Sequence, residues 1–185
     1  LGDTVFYCAD INGNPNYIPF SVSSGSGSIY DTAWITVLDT VSPVLSSKPP
    51  VILSLDSNGV HIFTYTDLLT TYPKDSCGID SIYINPPSLN CSNTSAYIPV
   101  NVTAYDLSGN HSTSTTFALA TDPIAPNLIL KNNYILELDS LNGQASLSVN
   151  AVIDTLYDNC EVDTTFITQG SGIFGCQDTG LKAVS

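Results

Sequence analysis

The pattern of apolar and polar positions is that of short β-strands along the whole chain. Runs rich in Val, Ile, Thr, Tyr and Phe often alternate in polarity, and Gly, Pro, Asn or Asp separates one run from the next. The clearest alternation lies in residues 96–106, where we expect these positions to face the core: Ile98, Val100, Val102 and Ala104. The best helical windows are 65–72 and its counterpart 150–158, each long enough for one or two turns. The pattern therefore predicts an all-β fold.

The same motifs occur twice, in the same order and at the same spacing. "DSCGID" at 75–80 recurs as "DNCEVD" at 158–163, and Cys77 and Cys160 are 83 positions apart. Asp39 and Asp122 have the same separation, and "SLDSNG" recurs as "ELDSLNG" with one residue added. A period of this length, holding six or seven short strands, is the size of a small sandwich domain. The sequence predicts tandem immunoglobulin-like β-sandwich repeats.

The repeat divides the chain into three segments. Residues 1–38 (the first segment) are predicted to be the C-terminal part of a preceding repeat, residues 39–121 (the middle segment) a complete repeat, and residues 122–185 (the last segment) a repeat that lacks its last strands. "DINGN" in the first segment resembles "DLSGN" in the middle segment, which places a late turn there. We expect the last segment to be completed by a continuing chain or, as the alternative, by the first segment of another copy through strand donation.

A serine-rich stretch, "SSGSGS" at 23–28, interrupts the first segment. Such a composition is typical of flexible backbone. We predict a flexible hairpin extension there, and the alternative is a loop that binds a ligand.

The charge of the chain excludes some partners. There are 17 acidic and 4 basic residues, giving a net charge of -13. Binding to nucleic acid depends on Lys and Arg, so we expect no nucleic-acid partner. A strongly acidic surface suits an extracellular protein whose copies repel one another, or one that collects divalent cations. No stretch of about 18 consecutive apolar residues occurs, so we expect no direct membrane insertion.

Four of the five cysteines lie in two pairs at similar offsets in the middle and last segments. This placement predicts the disulfides Cys77–Cys91 and Cys160–Cys176. Metal binding is the alternative, but the chain has no CxxC pair and both histidines are distant in sequence from the cysteines. The fifth, Cys8, matches the strand position near Ala104. We predict a buried free thiol, or a partner outside the chain.

The chain contains no recognisable catalytic motif. The GxSxG motif that places a nucleophilic serine is absent. His61 and His111 occupy different positions of the repeat, and we expect both to be solvated. Pairs of carboxylates recur with the repeat, which indicates turns rather than a single acid–base cleft. The sequence therefore predicts that the chain is not an enzyme.

Calcium is the one ligand that the sequence suggests. Oxygen-bearing side chains at alternate positions, of the kind that Ca²⁺ prefers, form two sets: Asp10, Asn12 and Asn14, and Asp106, Ser108 and Asn110. The alternative is a tight hairpin, in which the aspartate binds its own backbone. A second candidate site is the junction, where Asp39 or Asp122 would meet the acidic residues of "DSCGID" or "DNCEVD" in a neighbouring unit.

The order of these motifs resembles a known family. "DTVSP" or "DPIAP", then "LDSNG", "DSCG" or "DNCE", a second cysteine and "AYDLSGN" are similar to the repeats of giant Bacteroidota cell-surface adhesins. These repeats are related to HYR and other immunoglobulin-like repeats, and they include the SprB-like gliding-motility adhesins and other substrates of type IX secretion. Two positions depart from the pattern: Cys8, and Glu161 where the first copy has Gly78.

The resemblance implies an extracellular, cell-surface location. The chain would be a structural and adhesive segment, a stalk or filament, of a large secreted adhesin, including one used in gliding motility. Its partners would be neighbouring repeats of the same polypeptide or other copies in a filament, together with surface glycans or other cell-surface components. The alternative is a non-catalytic spacer or carbohydrate-binding accessory region of a secreted enzyme. A eukaryotic receptor ectodomain is a third interpretation.

The resemblance also implies glycosylation. Bacteroidota commonly attach O-glycans to the Ser or Thr of D-[ST]-[apolar or Thr], which the chain carries at Thr4, Thr32, Thr40, Ser81, Ser140, Thr155 and Thr164. A eukaryotic source would instead direct attention to the Asn-x-Ser/Thr sites at Asn90, Asn93, Asn101 and Asn110.

Overall fold

The computed structural model describes residues 5–11, 15–168 and 172–180. The strands are β1 (Asn16–Ser24), β2 (Gly27–Ile35), β3 (Val51–Ser54), β4 (Val60–Ile62), β5 (Ile79–Asn85), β6 (Ser88–Asn90), β7 (Ile98–Asp106), β8 (His111–Thr121), β9 (Asn127–Leu130), β10 (Gln144–Ser146), β11 (Ile153–Tyr157) and β12 (Ile173–Gly175). The single-turn helices are α1 (Tyr65–Leu68) and α2 (Val149–Val152), and three 3-10 turns span Cys8–Asp10, Cys91–Asn93 and Cys176–Asp178. The prediction of an all-β chain is confirmed.

The middle segment contains two sheets around one hydrophobic core. The larger sheet has the order β3-β8-β7-β5, in which β3 and β8 are parallel and the other neighbours are antiparallel. The smaller sheet pairs β4 with β6. Side chains from both sheets and from α1 form the core: Leu55, Phe63, Leu68, Leu69, Leu89, Val100, Val102, Ala118 and Ala120. Burial of this apolar surface is what stabilises the segment.

The alternation in β7 predicted the core positions of that strand. Val100, Val102 and Ala104 are fully buried, and Ile98 packs against the core as a partly buried residue. Asn101, one of the alternate positions, is exposed. The period of two is therefore expressed as one face toward the core and one toward solvent.

Replacement of Leu89 should destabilise the middle segment strongly. The side chain is fully buried in β6 and lies in the core that joins the two sheets. Leu89→Ala removes apolar contacts and leaves a cavity, so we expect the free energy of unfolding to fall by about 2–5 kcal/mol. Urea denaturation followed by circular dichroism measures this loss. Leu141→Ala is the control, because Leu141 is 94% exposed; equal effects of the two changes would contradict the described core.

The strand pairing of the middle segment recurs in the last segment. In β4–β6 Val60 pairs with Asn90, and in β10–β12 Gln144 pairs with Gly175. The pairing of β9 with β11 likewise repeats two isolated bridges of the middle segment, Val44–Lys74 and Ser47–Leu69. The helical window at 65–72 contains the single turn of α1, whereas in the window at 150–158 α2 ends at Val152 and strand β11 follows.

The first segment supplies one long hairpin. β1 and β2 pair antiparallel over nine residues each, and a two-residue turn, Gly25–Ser26, connects Ser24 to Gly27. The hairpin predicted at "SSGSGS" is therefore present, with this stretch at its tip. "YIP" at 17–19 matches "YIP" at 97–99, which makes β1–β2 the counterpart of β7–β8.

This correspondence corrects the match of "DINGN" with "DLSGN". Asp10 lies in the 3-10 turn that starts at Cys8, and the counterpart of that turn is Cys91–Asn93. Asp106 lies instead at the tip of β7–β8. Both aspartates bind backbone N–H groups, which explains why similar letters occur in two different places.

Candidate functional site

The two disulfides connect one segment to the next. Cys8 is bonded to Cys77 and Cys91 to Cys160, with a sequence separation of 69 residues in each case. Cys176 is free and exposed. The predicted pairs Cys77–Cys91 and Cys160–Cys176 are therefore wrong, and Cys8 is an exposed half-cystine rather than a buried thiol.

The geometry of the middle segment explains why its two cysteines do not pair. Cys77 is next to Gly78, whose position faces Leu107 at the tip of β7–β8. Cys91 contacts Gly59, which lies in the turn after Leu55. The Leu55 N–H donates to the carbonyl oxygen of Thr121, the last residue of β8, so Cys91 lies at the opposite end of that strand from Leu107. A strand of this length spans roughly 35 Å, whereas disulfide-bonded Cα atoms lie within about 7 Å of each other.

Each first cysteine of a segment is held by a turn that we call the D-x-C turn, residues 75–77 and 158–160. The Cys77 N–H donates to Asp75 Oδ1 at 2.7 Å, and the Cys160 N–H donates to Asp158 Oδ1 at 2.9 Å. The aspartate thus fixes the backbone conformation that presents the sulfur. This shared requirement is the physical reason for the recurrence of "DSC" and "DNC".

Each second cysteine is held by a 3-10 turn. The residue before the cysteine donates its N–H to the side chain of the third residue of the turn: Tyr7 to Asp10 at 2.7 Å, Asn90 to Asn93 at 2.9 Å and Gly175 to Asp178 at 3.0 Å. Each of these hydrogen bonds satisfies a backbone N–H at the start of the turn, where the turn itself offers no acceptor. Cys8, Cys91 and Cys176 therefore occupy one equivalent position.

We use the word joint for the contact between a second cysteine and the D-x-C turn of the next segment. In the joint between the middle and last segments, Cys91 Sγ lies 3.5 Å from the Asn159 carbonyl oxygen. Asn159 Nδ2 donates to the Asp56 carbonyl oxygen at 3.1 Å and to Asp122 Oδ1 at 3.0 Å. In the joint between the first and middle segments, Cys8 Sγ lies 3.4 Å from the Ser76 carbonyl oxygen. In both joints the sulfur of the second cysteine thus lies beside the carbonyl oxygen of the residue that precedes the cysteine of the D-x-C turn.

Gly59 allows the close approach at the joint with the last segment. A Cβ at this position would lie 2.6 Å from the Asn159 carbonyl oxygen and 2.7 Å from Cys91 Sγ. Its φ of 71° also lies in the left-handed region that favours glycine. A glycine is therefore needed both for the turn and for contact with the next segment.

The repeat period makes Cys8 equivalent to Cys91 but does not by itself decide which cysteines pair. Cys8 and Cys91 are 83 positions apart, the same period as Cys77 and Cys160. The comparison of Cys8 with Ala104 is therefore wrong, but pairs inside segments and pairs between segments both agree with the period, and each arrangement leaves one cysteine unpaired.

The Asp106 turn has the tight-hairpin role that was the alternative to calcium. Asp106 is 2% exposed, and its Oδ1 accepts N–H bonds from Ser108 at 2.9 Å and Asn110 at 2.8 Å. Asn110 Nδ2 donates to Asp106 Oδ2 at 2.9 Å and to the Asp39 carbonyl oxygen at 3.1 Å. Both carboxylate oxygens thus already accept hydrogen bonds. Calcium at this turn stays a prediction, as it does at Asp10, whose partners Asn12 and Asn14 lie outside the described residues.

Acid should destabilise the chain through Asp106. Burial alone would raise the pKa of this carboxyl, but hydrogen bonds from Asn110, Ser108 and Gly109 hold the pKa below its ordinary value of 3.8. A lowered folded-state pKa stabilises the fold above the unfolded value, and this contribution is lost as the pH falls through the folded value. We expect the fall in Tm below about pH 4 to be smaller in Asp106→Asn than in the wild type. Calorimetry between about pH 2 and 6 measures it, with the exposed Asp154→Asn as control; parallel curves for Asp106→Asn and wild type would contradict the role.

A small acidic group lies at the joint between the first and middle segments. Ligand atoms of Asp39, Asp75 and Cys77 lie within 4.8 Å of one another. The Cys77 sulfur is in a disulfide, which leaves two carboxylates. Asp39 therefore lies close to an acidic residue of "DSCGID", as predicted. That residue, Asp75, belongs to the same segment as Asp39 and not to a neighbouring unit. At the next joint, Asp122 instead accepts the bond from Asn159.

The histidines have different surroundings. His111 is exposed as predicted and stacks on Tyr105 with ring centroids 5.1 Å apart. His61 is half-buried, which the prediction missed: its Nδ1 lies 3.1 Å from the Ser54 carbonyl oxygen and its Nε2 lies 3.6 Å from Asp67. Burial would raise the pKa of Asp67, but bonds from Thr64 and the nearby His61 hold this pKa below its ordinary value. The Thr64 N–H and hydroxyl donate to Asp67 Oδ2 at 2.7 and 2.8 Å, and these bonds anchor the turn at α1.

Most of the predicted O-glycosylation positions are accessible. Five are exposed: Thr32, Thr40, Ser140, Thr155 and Thr164. Ser81 is half-buried in β5, and Thr4 lies outside the described residues. Glycosylation at these positions stays a prediction.

The two disulfides indicate an oxidising environment, as found outside the cell or in secreted proteins. Within residues 5–11, 15–168 and 172–180, no helix has the length and apolar character that crossing a membrane requires. Comparisons with protein-family models, curated proteins and solved structures found no match to this chain.

Proposed function

We propose that the chain is a structural and adhesive segment, a stalk or filament, of a large secreted cell-surface adhesin built from tandem immunoglobulin-like units. The observation that carries this proposal is the pair of disulfides that connects each unit to the next with the same separation of 69 residues. A disulfide inside a unit would stabilise that unit alone. A disulfide between units also holds their junction.

The disulfides give the chain a short covalent path for force. Tension applied along the backbone enters at Cys8, crosses to Cys77, follows the chain to Cys91 and crosses to Cys160. Each disulfide thereby shields from the load the loop between two cysteines that are 69 positions apart. The units resist extension even when individual strands open, which suits a stalk that transmits force between a cell and a surface.

The acidic composition of the chain also fits such a stalk. A net charge of -13 keeps neighbouring stalks apart by mutual repulsion. The partners in this proposal are neighbouring units or other copies in a filament, with surface glycans or other cell-surface components as adhesion ligands. Gliding motility is a setting in which such force transmission would be used.

The complete polypeptide that contains this chain tests the proposal. We expect further units with the same two cysteine positions, and labelling of intact cells by an antibody raised against the chain. A catalytic domain in the same polypeptide would favour the accessory region of a secreted enzyme instead. Absence of label at the surface of intact cells that produce the protein would contradict the adhesin proposal.

A further inference from the structure

Cys176 has the structural setting of a joint cysteine but no bonded partner. It begins a 3-10 turn equivalent to those of Cys8 and Cys91. Its thiol donates to the Gly143 carbonyl oxygen at 3.8 Å, and Cys91 Sγ lies 3.7 Å from the Gly59 carbonyl oxygen. The position of the sulfur relative to its own segment is therefore the same in the bonded and the free case.

The turn that faces the sulfur is also preserved. The Asp56 N–H binds the Val60 carbonyl oxygen at 3.0 Å, and the Asp139 N–H binds the Gln144 carbonyl oxygen at 2.9 Å. Gly143 has a φ of 65°, close to the 71° of Gly59. In the middle segment this surface receives the D-x-C turn of the last segment.

Among the described residues, the equivalent surface of the last segment is an open depression of about 370 Å³. Gly143, Phe174, Cys176 and Gln177 are among the residues that line it. The corresponding place in the middle segment is filled, because the Asn159 carbonyl oxygen lies 2.6 Å from a Cβ built on Gly59. A surface of the same form as that of the occupied joint and a free, exposed thiol thus occur together.

We propose that Cys176 is a covalent docking site for the D-x-C turn of another unit of this kind. The carbonyl oxygen before the incoming cysteine would lie beside Gly143, as the Asn159 oxygen lies beside Gly59. Two thiols form the bond and lose two protons and two electrons to a disulfide oxidant, which is reduced to two thiols. The site follows from the geometry of the joint and does not depend on the adhesive role.

A second copy of the chain supplies a suitable probe. Cys8→Ser frees Cys77 within an intact D-x-C turn, so that the variant carries one free cysteine of each kind. In a glutathione redox buffer we expect a ladder of disulfide-linked, head-to-tail oligomers on non-reducing gels. Peptide mapping should find Cys77–Cys176 linkages well above the half that random pairing of two thiols gives.

Two controls test the specificity. Cys8→Ser/Cys176→Ser retains only the free turn cysteine, and the wild type retains only Cys176; neither should form a ladder. A 1:1 mixture of these two proteins should give one heterodimer joined through Cys77 and Cys176. This mixture tests the linkage without the Cys8→Ser single variant. Random pairing, symmetric Cys176–Cys176 dimers as the main product, or no linkage at all would overturn the proposal.

Gly143 provides a matched structural control. In the Cys8→Ser background, Gly143→Ala should reduce formation of Cys77–Cys176 several-fold, because the added Cβ occupies the place of the incoming carbonyl. Gly109→Ala introduces comparable backbone strain, since φ is 89° there, but no atom lies within 4 Å of its Cβ; it should leave the linkage unchanged. Equal effects of the two changes would contradict docking beside Gly143.

Peptide mapping of the natural polypeptide separates the two sources of the docking turn. A bond from Cys176 to a peptide of different sequence identifies a downstream unit. A bond from Cys176 to the peptide that contains Cys77 or Cys160 identifies another copy. A free Cys176 in the mature, oxidised polypeptide would contradict the proposal.

Discussion

Reduction of the two disulfides is expected to lengthen the unfolded chain under tension by about 24 nm for each bond. The bonded cysteines are 69 positions apart in each case, and an extended chain advances by roughly 3.5 Å per residue. With both bonds intact, force passes from Cys8 to Cys77 and from Cys91 to Cys160 without extending either loop. This difference is the mechanical property on which the proposed stalk depends.

Single-molecule force spectroscopy measures this length directly. The chain is attached by its two ends and pulled to full extension with and without a thiol reductant. Cys91→Ala/Cys160→Ala is the matched variant and should gain one increment without reductant, while the Cys8–Cys77 loop stays closed. Cys176→Ala is the control and should extend like the wild type. An extension that is unchanged by reduction would show that the bonds do not shield these loops.

Loss of the Cys91–Cys160 bond should also lower the free energy of unfolding by about 4 kcal/mol. A cross-link that closes a loop of this length restricts the unfolded chain by an entropy of that order. The bond lies at a joint where both cysteines pack against the hydrophobic core. We therefore expect its removal to destabilise the middle and last segments together rather than one of them.

Urea denaturation of Cys91→Ala/Cys160→Ala against wild type measures the loss. Cys176→Ala should change stability by no more than about 0.5 kcal/mol, because Cys176 is exposed and unbonded. The midpoint of the double variant should fall well below that of the control. A double variant as stable as the control would show that the bond contributes nothing to the joint.

Local patterns predicted the all-β character of the chain and the core face of one strand of the middle segment. In β7, alternation identified Val100, Val102 and Ala104 as buried, and the structure places them there. The recurrence of letters indicated equivalent turns, and the D-x-C turns have equivalent hydrogen bonds. These features succeed because strand periodicity and turn chemistry depend on neighbouring residues.

The comparison of sequence motifs was wrong where two different turns use the same hydrogen bond from a backbone N–H to an aspartate. Asp10 and Asp106 both accept backbone N–H bonds, one in a 3-10 turn and the other at a hairpin tip. The comparison of "DINGN" with "DLSGN" moved Cys8 away from its true counterpart, Cys91. The period of 83 residues between Cys8 and Cys91 identifies the true counterpart, but it does not distinguish pairs inside segments from pairs between segments.

The sequence by itself determined the all-β character of the chain, the repeat period and the recurrence of the D-x-C turn, because strand periodicity and turn chemistry depend on neighbouring residues and the repeat is visible in the letters themselves. Only the tertiary structure decided which cysteines meet. β8 separates the surroundings of Cys77 from those of Cys91, and the same folding places Cys91 against the Asn159 carbonyl oxygen of the next segment. A disulfide requires two Cα atoms within about 7 Å, and packing between segments rather than closeness in sequence satisfies that requirement here.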